Sequence, residues 1–188
     1  WRSIRGGSRS YVDAIASRFA GTIRLSSPVR SIRRTDHGVE VTTRDAVDTF
    51  ERVVLAVHSD QALAMLADAS PTERAVLGAV RYQPNRATLH TDTTLLSPQR
   101  RAWAAWNYDR RGSDHRLATL TYDLTNLQRL TGTNRCLVSL NSDEFIDPRT
   151  VIESFDYAHP VFDRPAIEAQ ARFDEIDGAG GVHYCGAW

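Results

Sequence analysis

The sequence contains no lysine. All 23 of its basic residues are arginine, and 23 acidic residues bring the formal net charge to zero. That absence excludes a lysine Schiff base, a lysine general base or a P-loop lysine within these 188 residues. The even balance leaves no global field to favour nucleic acid or an anionic membrane surface. Cysteine is scarce: Cys136 and Cys185 lie far apart without CxxC spacing, so neither a zinc site nor a disulfide framework is indicated. His58, His90 and His183 show no metal-ligand spacing, and no metal is expected. No GxSxG elbow and no Ser–His–Asp order points to a hydrolase. No apolar run reaches transmembrane length and no signal peptide is visible, so the expectation is a cytoplasmic protein without a membrane span.

What is present is ordinary for a globular protein, with 41% hydrophobic and 24% charged residues. A chain of this length suits one domain, or one plus a fragment, and buries roughly 70% of its unfolded surface. It opens on Trp1 and stops on Gly186-Ala187-Trp188 directly after a strand-like run, and reads as a piece of something longer.

Local signals set out the order of elements. Ser8 or Ser10 can N-cap a helix in which Tyr11, Ile15 and Phe19 recur, with Gly21 as its stop. Strands are expected at 22–25, 29–34 and 39–43, with Asp36-His37-Gly38 as a turn. The run 53–57 is continuously apolar, so it predicts a strand covered on both faces. Ser59-Asp60 caps a short helix over 61–66. Ser70-Pro71-Thr72-Glu73 forms a capping box for a helix that buries Val76, Leu77 and Val80, and Pro84 should break the pattern after it. Short strands follow at 87–91, 102–108, 117–122 and 136–140, separated by polar turns at 110–113 and 131–134. They predict an antiparallel sheet with one face free to line a pocket. Asp147-Pro148 opens a helical or extended segment through 155, and 165–173 reads as an amphipathic helix. Residues 178–181 form a turn and 182–185 a closing strand. The fold class expected is α+β, a mixed and mainly antiparallel sheet flanked by helices.

Gly6-Gly7-Ser8, then Pro28-Val29-Arg30-Ser31-Ile32, then Glu51-Arg52-Val53-Val54-Leu55-Ala56-Val57 stand in the order helix, strand, strand. That order resembles an internal segment of the FAD-dependent amine oxidase superfamily. The runs 82–92, Trp103-Ala104-Ala105-Trp106-Asn107-Tyr108 and Tyr157-Ala158-His159-Pro160-Val161-Phe162 are similar to a bacterial amine-oxidase-like branch of it. Tyr184-Cys185-Gly186-Ala187-Trp188 resembles the strand end where that family's chain returns to the flavin. The resemblance implies a partial FAD-binding segment at 1–58, a substrate-binding domain at 59–177 and a returning strand at 178–188. It further implies FAD as cofactor, with hydride transfer from a C–N or C–C bond of a small or lipid-like, acyl-type substrate. Val29 would meet the adenine through its backbone, and Ala56, Gly186 and Ala187 would lie against the cofactor. Two departures stand out. The glycine-rich dinucleotide turn, with its acid about 20 residues on, is absent, so this piece alone is expected to be inactive. Ala187 stands where many relatives carry an acid or a hydroxyl.

Arg86 falls near the place of a lysine that holds a water beside the flavin in the amine oxidases. It is either a planar cation for an anionic substrate group or one half of a surface ion pair. His159, before Pro160, is a candidate general base or a structural histidine. Trp103, Trp106 and Tyr108 are candidate pocket walls, or ordinary core. Exposed strand edges would make a homodimer an expected partner state. The competing class is a non-catalytic α+β module that binds a small molecule or a partner.

Overall fold

A computed structural model of the protein describes residues 4–109, 119–186 and 188. Its elements run α1 (Ser8–Ala16), β1 (Ser31–Thr35), β2 (Gly38–Thr42), β3 (Val47–Phe50), β4 (Val53–Leu55), α2 (Ser59–Met65), α3 (Pro71–Gly78) and β5 (Arg81–His90). They continue with β6 (Trp106–Asp109), β7 (Thr119–Asp123), α4 (Leu124–Gln128), β8 (Leu137–Leu140), β9 (Val151–Val161), α5 (Arg164–Gln170) and β10 (Val182–Tyr184). The class is α+β with largely antiparallel pairing. Two compact units are present, and β5 and β9 each carry the chain from one to the other.

One unit comprises Ile23–Gln83 with His159–Trp188. Its antiparallel meander β1-β2-β3 turns first at Asp36-His37, where Thr35 faces Gly38. Gly38 has φ +128°, and a Cβ there would lie 2.5 Å from the Phe50 carbonyl oxygen, so the turn needs glycine. Beside it, β10 pairs in parallel with β4. Ile32, Val39, Leu55, Leu66, Leu77 and Val182 anchor a single core to which α2, α3 and α5 also contribute. Residues 59–83 and 159–177, which the sequence groups with the substrate-binding part, share this core with the strands.

The capping box of α3 is formed. The Ser70 hydroxyl accepts from the Glu73 amide at 3.1 Å, and the Glu73 carboxylate accepts from the Ser70 amide at 2.7 Å. The same carboxylate is buried, and it is bonded by the Arg34 guanidinium and, at 2.5 Å, by the Tyr184 hydroxyl. Burial alone would raise the Glu73 pKa, but the bonds from Tyr184, Ser70 and Arg34 outweigh it and hold the carboxyl below its usual range.

The other unit comprises residues 4–22 with Pro84–Ala158. Its five-stranded sheet has the order β6-β7-β8-β5-β9. In register, Asn107, Thr121, Ser139 and Thr88 form one cross-strand row, and Trp106, Tyr122, Val138 and Leu89 the next. Successive residues of a strand point to opposite faces, so these rows line different sides of the sheet.

Several local expectations need correction. α1 begins after Gly7, and the Ser10 hydroxyl donates back to the Gly7 carbonyl rather than capping from outside the helix. The helix ends at Ala16 with Ser17 as its C-cap, so Gly21 does not stop it and Phe19 lies beyond it. No strand forms at 22–25, and the next begins at Ser31, which leaves Val29 ahead of it. β3 carries only two apolar side chains and owes its strand to pairing with β2. The 53–57 run forms a strand only over Val53–Leu55. Val54 is 62% exposed, because the parallel partner and the core cover one side of it. Pro84 does not end the pattern: it sits within β5, outside the Ala87–His90 stretch paired with β8, where a missing N–H costs no ladder bond to that strand. Of 102–108 only Trp106 onward is strand, and 148–150 form a single turn that leads into the eleven-residue β9. The turn expected at 110–113 lies outside the described residues.

Candidate functional site

The sheet of the second unit has two chemically distinct faces. On one, the Thr121 and Ser139 hydroxyls meet at 2.7 Å, and Thr88 reaches the Ser154 hydroxyl at 3.1 Å and the Asp143 carboxylate. His90 lies in this layer, fully buried. Its Nδ1 accepts from the Asp92 amide at 3.1 Å, which assigns the proton to Nε2, where it is donated to the Ser139 hydroxyl at 2.9 Å. Burial pushes the imidazole pKa down, against the pull of Asp92 and Asp143, so the ring is held neutral. These bonds engage the side chains of His90, Thr121, Ser139, Thr88 and Ser154 with one another and orient the strands.

The opposite face is apolar and aromatic. Trp106 and Tyr108 of β6 stand beside Tyr122 and Leu120 of β7 in register, with Val138 and Leu140 beyond them on β8. Leu120 is buried, whereas Trp106 and Tyr108 are more than half exposed. On β9, Phe155 and Tyr157 alternate with Ser154, so they point away from the polar layer, and their rings stack at 6.1 Å. Two of the three expected pocket walls, Trp106 and Tyr108, are thus neighbours on a partly open aromatic surface. Trp103 is elsewhere: it precedes β6, and its indole N–H donates to the Ser97 carbonyl at 2.6 Å.

Arg86 shares the strand face of Thr88 and His90. Its guanidinium bonds Asp156 at 3.0 Å and approaches Asp143 at 3.4 Å. His159 is exposed near the end of β9 and belongs to the other compact unit.

The expected cofactor residues Val29, Ala56 and Gly186 all fall in the first unit, and Ala187 lies outside the described residues. The pairing of Tyr184 with Leu55 brings Ala56 and Gly186 to the same, C-terminal, end of the parallel strands, where open α/β sheets bind ligands. That end is tied by the Cys185 amide, 2.9 Å from the Leu55 carbonyl, and by the Trp188 indole N–H, 3.0 Å from the Val57 carbonyl. The Val29 backbone N–H and C=O make no hydrogen bond among the described residues, so both are free to pair with a heterocycle edge. These features fit the adenine and strand-end portions of FAD. Among the described residues, no glycine-rich strand-to-helix turn is present for its pyrophosphate.

Sequence reasoning missed the cavity beside this strand end. About 450 Å³ of space is lined by Val76, Val80, Ala169, Phe173, Tyr184 and Trp188, among others. Phe173 packs edge-on against Tyr184 at 6.5 Å and Trp188 at 5.7 Å. These residues come from three separate stretches of sequence; the aromatic pair Tyr184 and Trp188, flanking Gly186, was the only local signal.

Solved structures share this fold. A fatty acid isomerase from P. acnes that produces CLA matches with a TM-score of 0.66 and 14% identity over 96% of this chain and 47% of its own. A structure described as a protoporphyrinogen oxidase from Exiguobacterium sp. 255-15 gives 0.64 and 14% over 98% and 47%. Putrescine oxidase bound to putrescine gives 0.62 and 13% over 97% and 47%. The chain therefore spans about half the length of each. A comparison with curated proteins found no match. The family model for flavin containing amine oxidoreductases matches residues 1–144, and the chain belongs to that family.

Proposed function

We propose that this chain forms the substrate-binding part and a flavin-side strip of an FAD-dependent oxidoreductase acting on a small or lipid-like molecule. The observation that carries the reading is the partly open aromatic sheet face of Trp106, Tyr108, Tyr122, Phe155 and Tyr157 in a chain of a flavin-containing family. FAD, when bound, would accept a hydride from a C–N or C–C bond of the substrate. The aromatic face would bind a flat or apolar substrate body and shed water from it. From the polar side of the sheet, opposite the aromatic face, Arg86 would orient an anionic group or a water through its Nη nitrogens. In the other unit, His159 would take a proton at an imidazole nitrogen. Val29, Ala56, Gly186 and Ala187 would meet the cofactor. In this reading 1–58 and 178–188 belong to the flavin side and 59–177 to the substrate side.

Amine and acyl substrates are both within reach, since relatives of the same fold act on a fatty acid or hold putrescine. The test is anaerobic reduction of the longer protein expected to contain this chain. Bleaching of a flavin spectrum by putrescine supports an amine, and bleaching by a polyunsaturated fatty acid supports an acyl substrate. Purification without flavin would favour the alternative, a non-catalytic binding module.

A further inference from the structure

The second unit holds a polar cleft of about 460 Å³ that the flavin reading does not use. Its walls include Thr91, Thr93, Arg100, Trp103, Thr133 and Arg135. Two guanidiniums lie over the one indole: the Arg135 carbon is 4.7 Å from the Trp103 ring centre and the Arg100 carbon 5.6 Å. The indole is itself fixed by its bond to the Ser97 carbonyl. Gathering two cations at one ring raises their mutual repulsion unless anions answer them. Arg135 is answered by Asp123, whose side chain is wholly buried and whose other oxygen accepts from the Asn126 amide. Arg100 has no carboxylate partner among the described residues. The hydroxyls of Thr91, Thr93 and Thr133 and the Asn134 amide likewise make no hydrogen bond among the described residues, although all four residues border the cleft.

Among the described residues, the cleft therefore combines a guanidinium without a carboxylate partner, a second held in place by a buried carboxylate, and several hydroxyls without a hydrogen bond. A guanidinium fork matches the paired oxygens of a carboxylate or phosphate, and hydroxyls complete such a shell. We propose that this cleft is a binding site for a small hydrophilic oxyanion, a carboxylate or a phosphate, held chiefly by Arg100. Its polar lining does not suit a long acyl chain. The site is separate from the aromatic face and requires no flavin.

The test is an NMR titration of the 188-residue protein with ¹⁵N label, following the Trp103 indole N–H, assigned by its loss in Trp103→Phe. Sodium phosphate, sodium acetate and sodium chloride are compared at matched ionic strength. A saturable shift with phosphate or acetate but not chloride is expected, and the responding salt identifies the anion. Arg100→Gln should weaken that binding at least tenfold, while Arg164→Gln, whose surface pair with Glu168 is remote in sequence and lies in the other unit, should leave it unchanged. Thr133→Val should weaken it by a smaller factor, which guards against a folding defect in any one variant. A linear response shared with chloride, or equal affinity in Arg100→Gln, would overturn the proposal.

Discussion

The Tyr184 hydroxyl donates to the Glu73 carboxylate across 2.5 Å, joining the last strand to the capping box of α3. Glu73 is a buried acid that also serves the Ser70 amide and Arg34, so one carboxylate ties together α3, β1 and β10. Breaking one bond to a buried charge costs more than losing a neutral pair, because the desolvated carboxylate remains. Tyr184→Phe should destabilise the protein by about 1.5–3 kcal/mol. Urea unfolding with an unchanged slope and a lower midpoint is the expected result.

Acid should weaken the same network. The folded Glu73 pKa lies below its unfolded value, so its contribution is complete above the ordinary carboxylate range and lost as pH falls through the folded pKa. Tyr184 has the opposite sign. Burial and the Glu73 bond raise its pKa, so its contribution is complete below the ordinary tyrosine range and lost in strong alkali. In melting curves recorded against pH, Glu73→Gln should flatten the acid limb. An unchanged acid limb would refute the assignment.

His90 adds a second acid-sensitive step at higher pH. Its folded pKa is depressed, chiefly by burial, so stability is complete above the ordinary imidazole value of about 6.5 and declines as pH falls below it. His90→Gln should remove that decline while keeping a hydrogen bond to Ser139. The measurement is the melting temperature between about pH 7 and 5, in the range where an ordinary imidazole titrates.

Arg86 separates two readings by one substitution. If its fork orients substrate, Arg86→Leu in the longer flavoenzyme should lower kcat/KM by roughly tenfold to a hundredfold, with Arg86→Lys restoring part of it. If it serves only Asp143 and Asp156 on a solvated surface, turnover stays unchanged and stability falls by less than about 1 kcal/mol. Steady-state kinetics at full flavin occupancy decides.

The exposed Val54 marks a two-stranded parallel pair, an arrangement that ordinarily extends into a larger sheet covered on both faces. The 188-residue protein should therefore self-associate through this edge. Val54→Asp should shift sedimentation toward monomer, with little change in the Leu55-centred core.

Signals that act within one turn of chain were legible in the sequence. The capping box at Ser70 needs only residues three apart and a proline at the first helical position. The Asp36-His37-Gly38 turn needs only a glycine at its end, where φ is +128°. Family membership was legible as well: the runs at 28–32 and 51–57 that suggested it lie within the residues the family model matches. Where pairing across the chain decides, local pattern had no purchase. β3 exists because β2 offers it a ladder, and β5 runs through Pro84 because that residue lies outside the β8 pairing. The division of the aromatics followed the same rule. Trp106 and Tyr108 share a face through the register with β7, while Trp103, three residues earlier, is turned to Ser97 and two arginines. Alternation specifies which residues share a side of a strand; only the assembled sheet decides which side remains open to a ligand, since that depends on what packs against it from distant sequence.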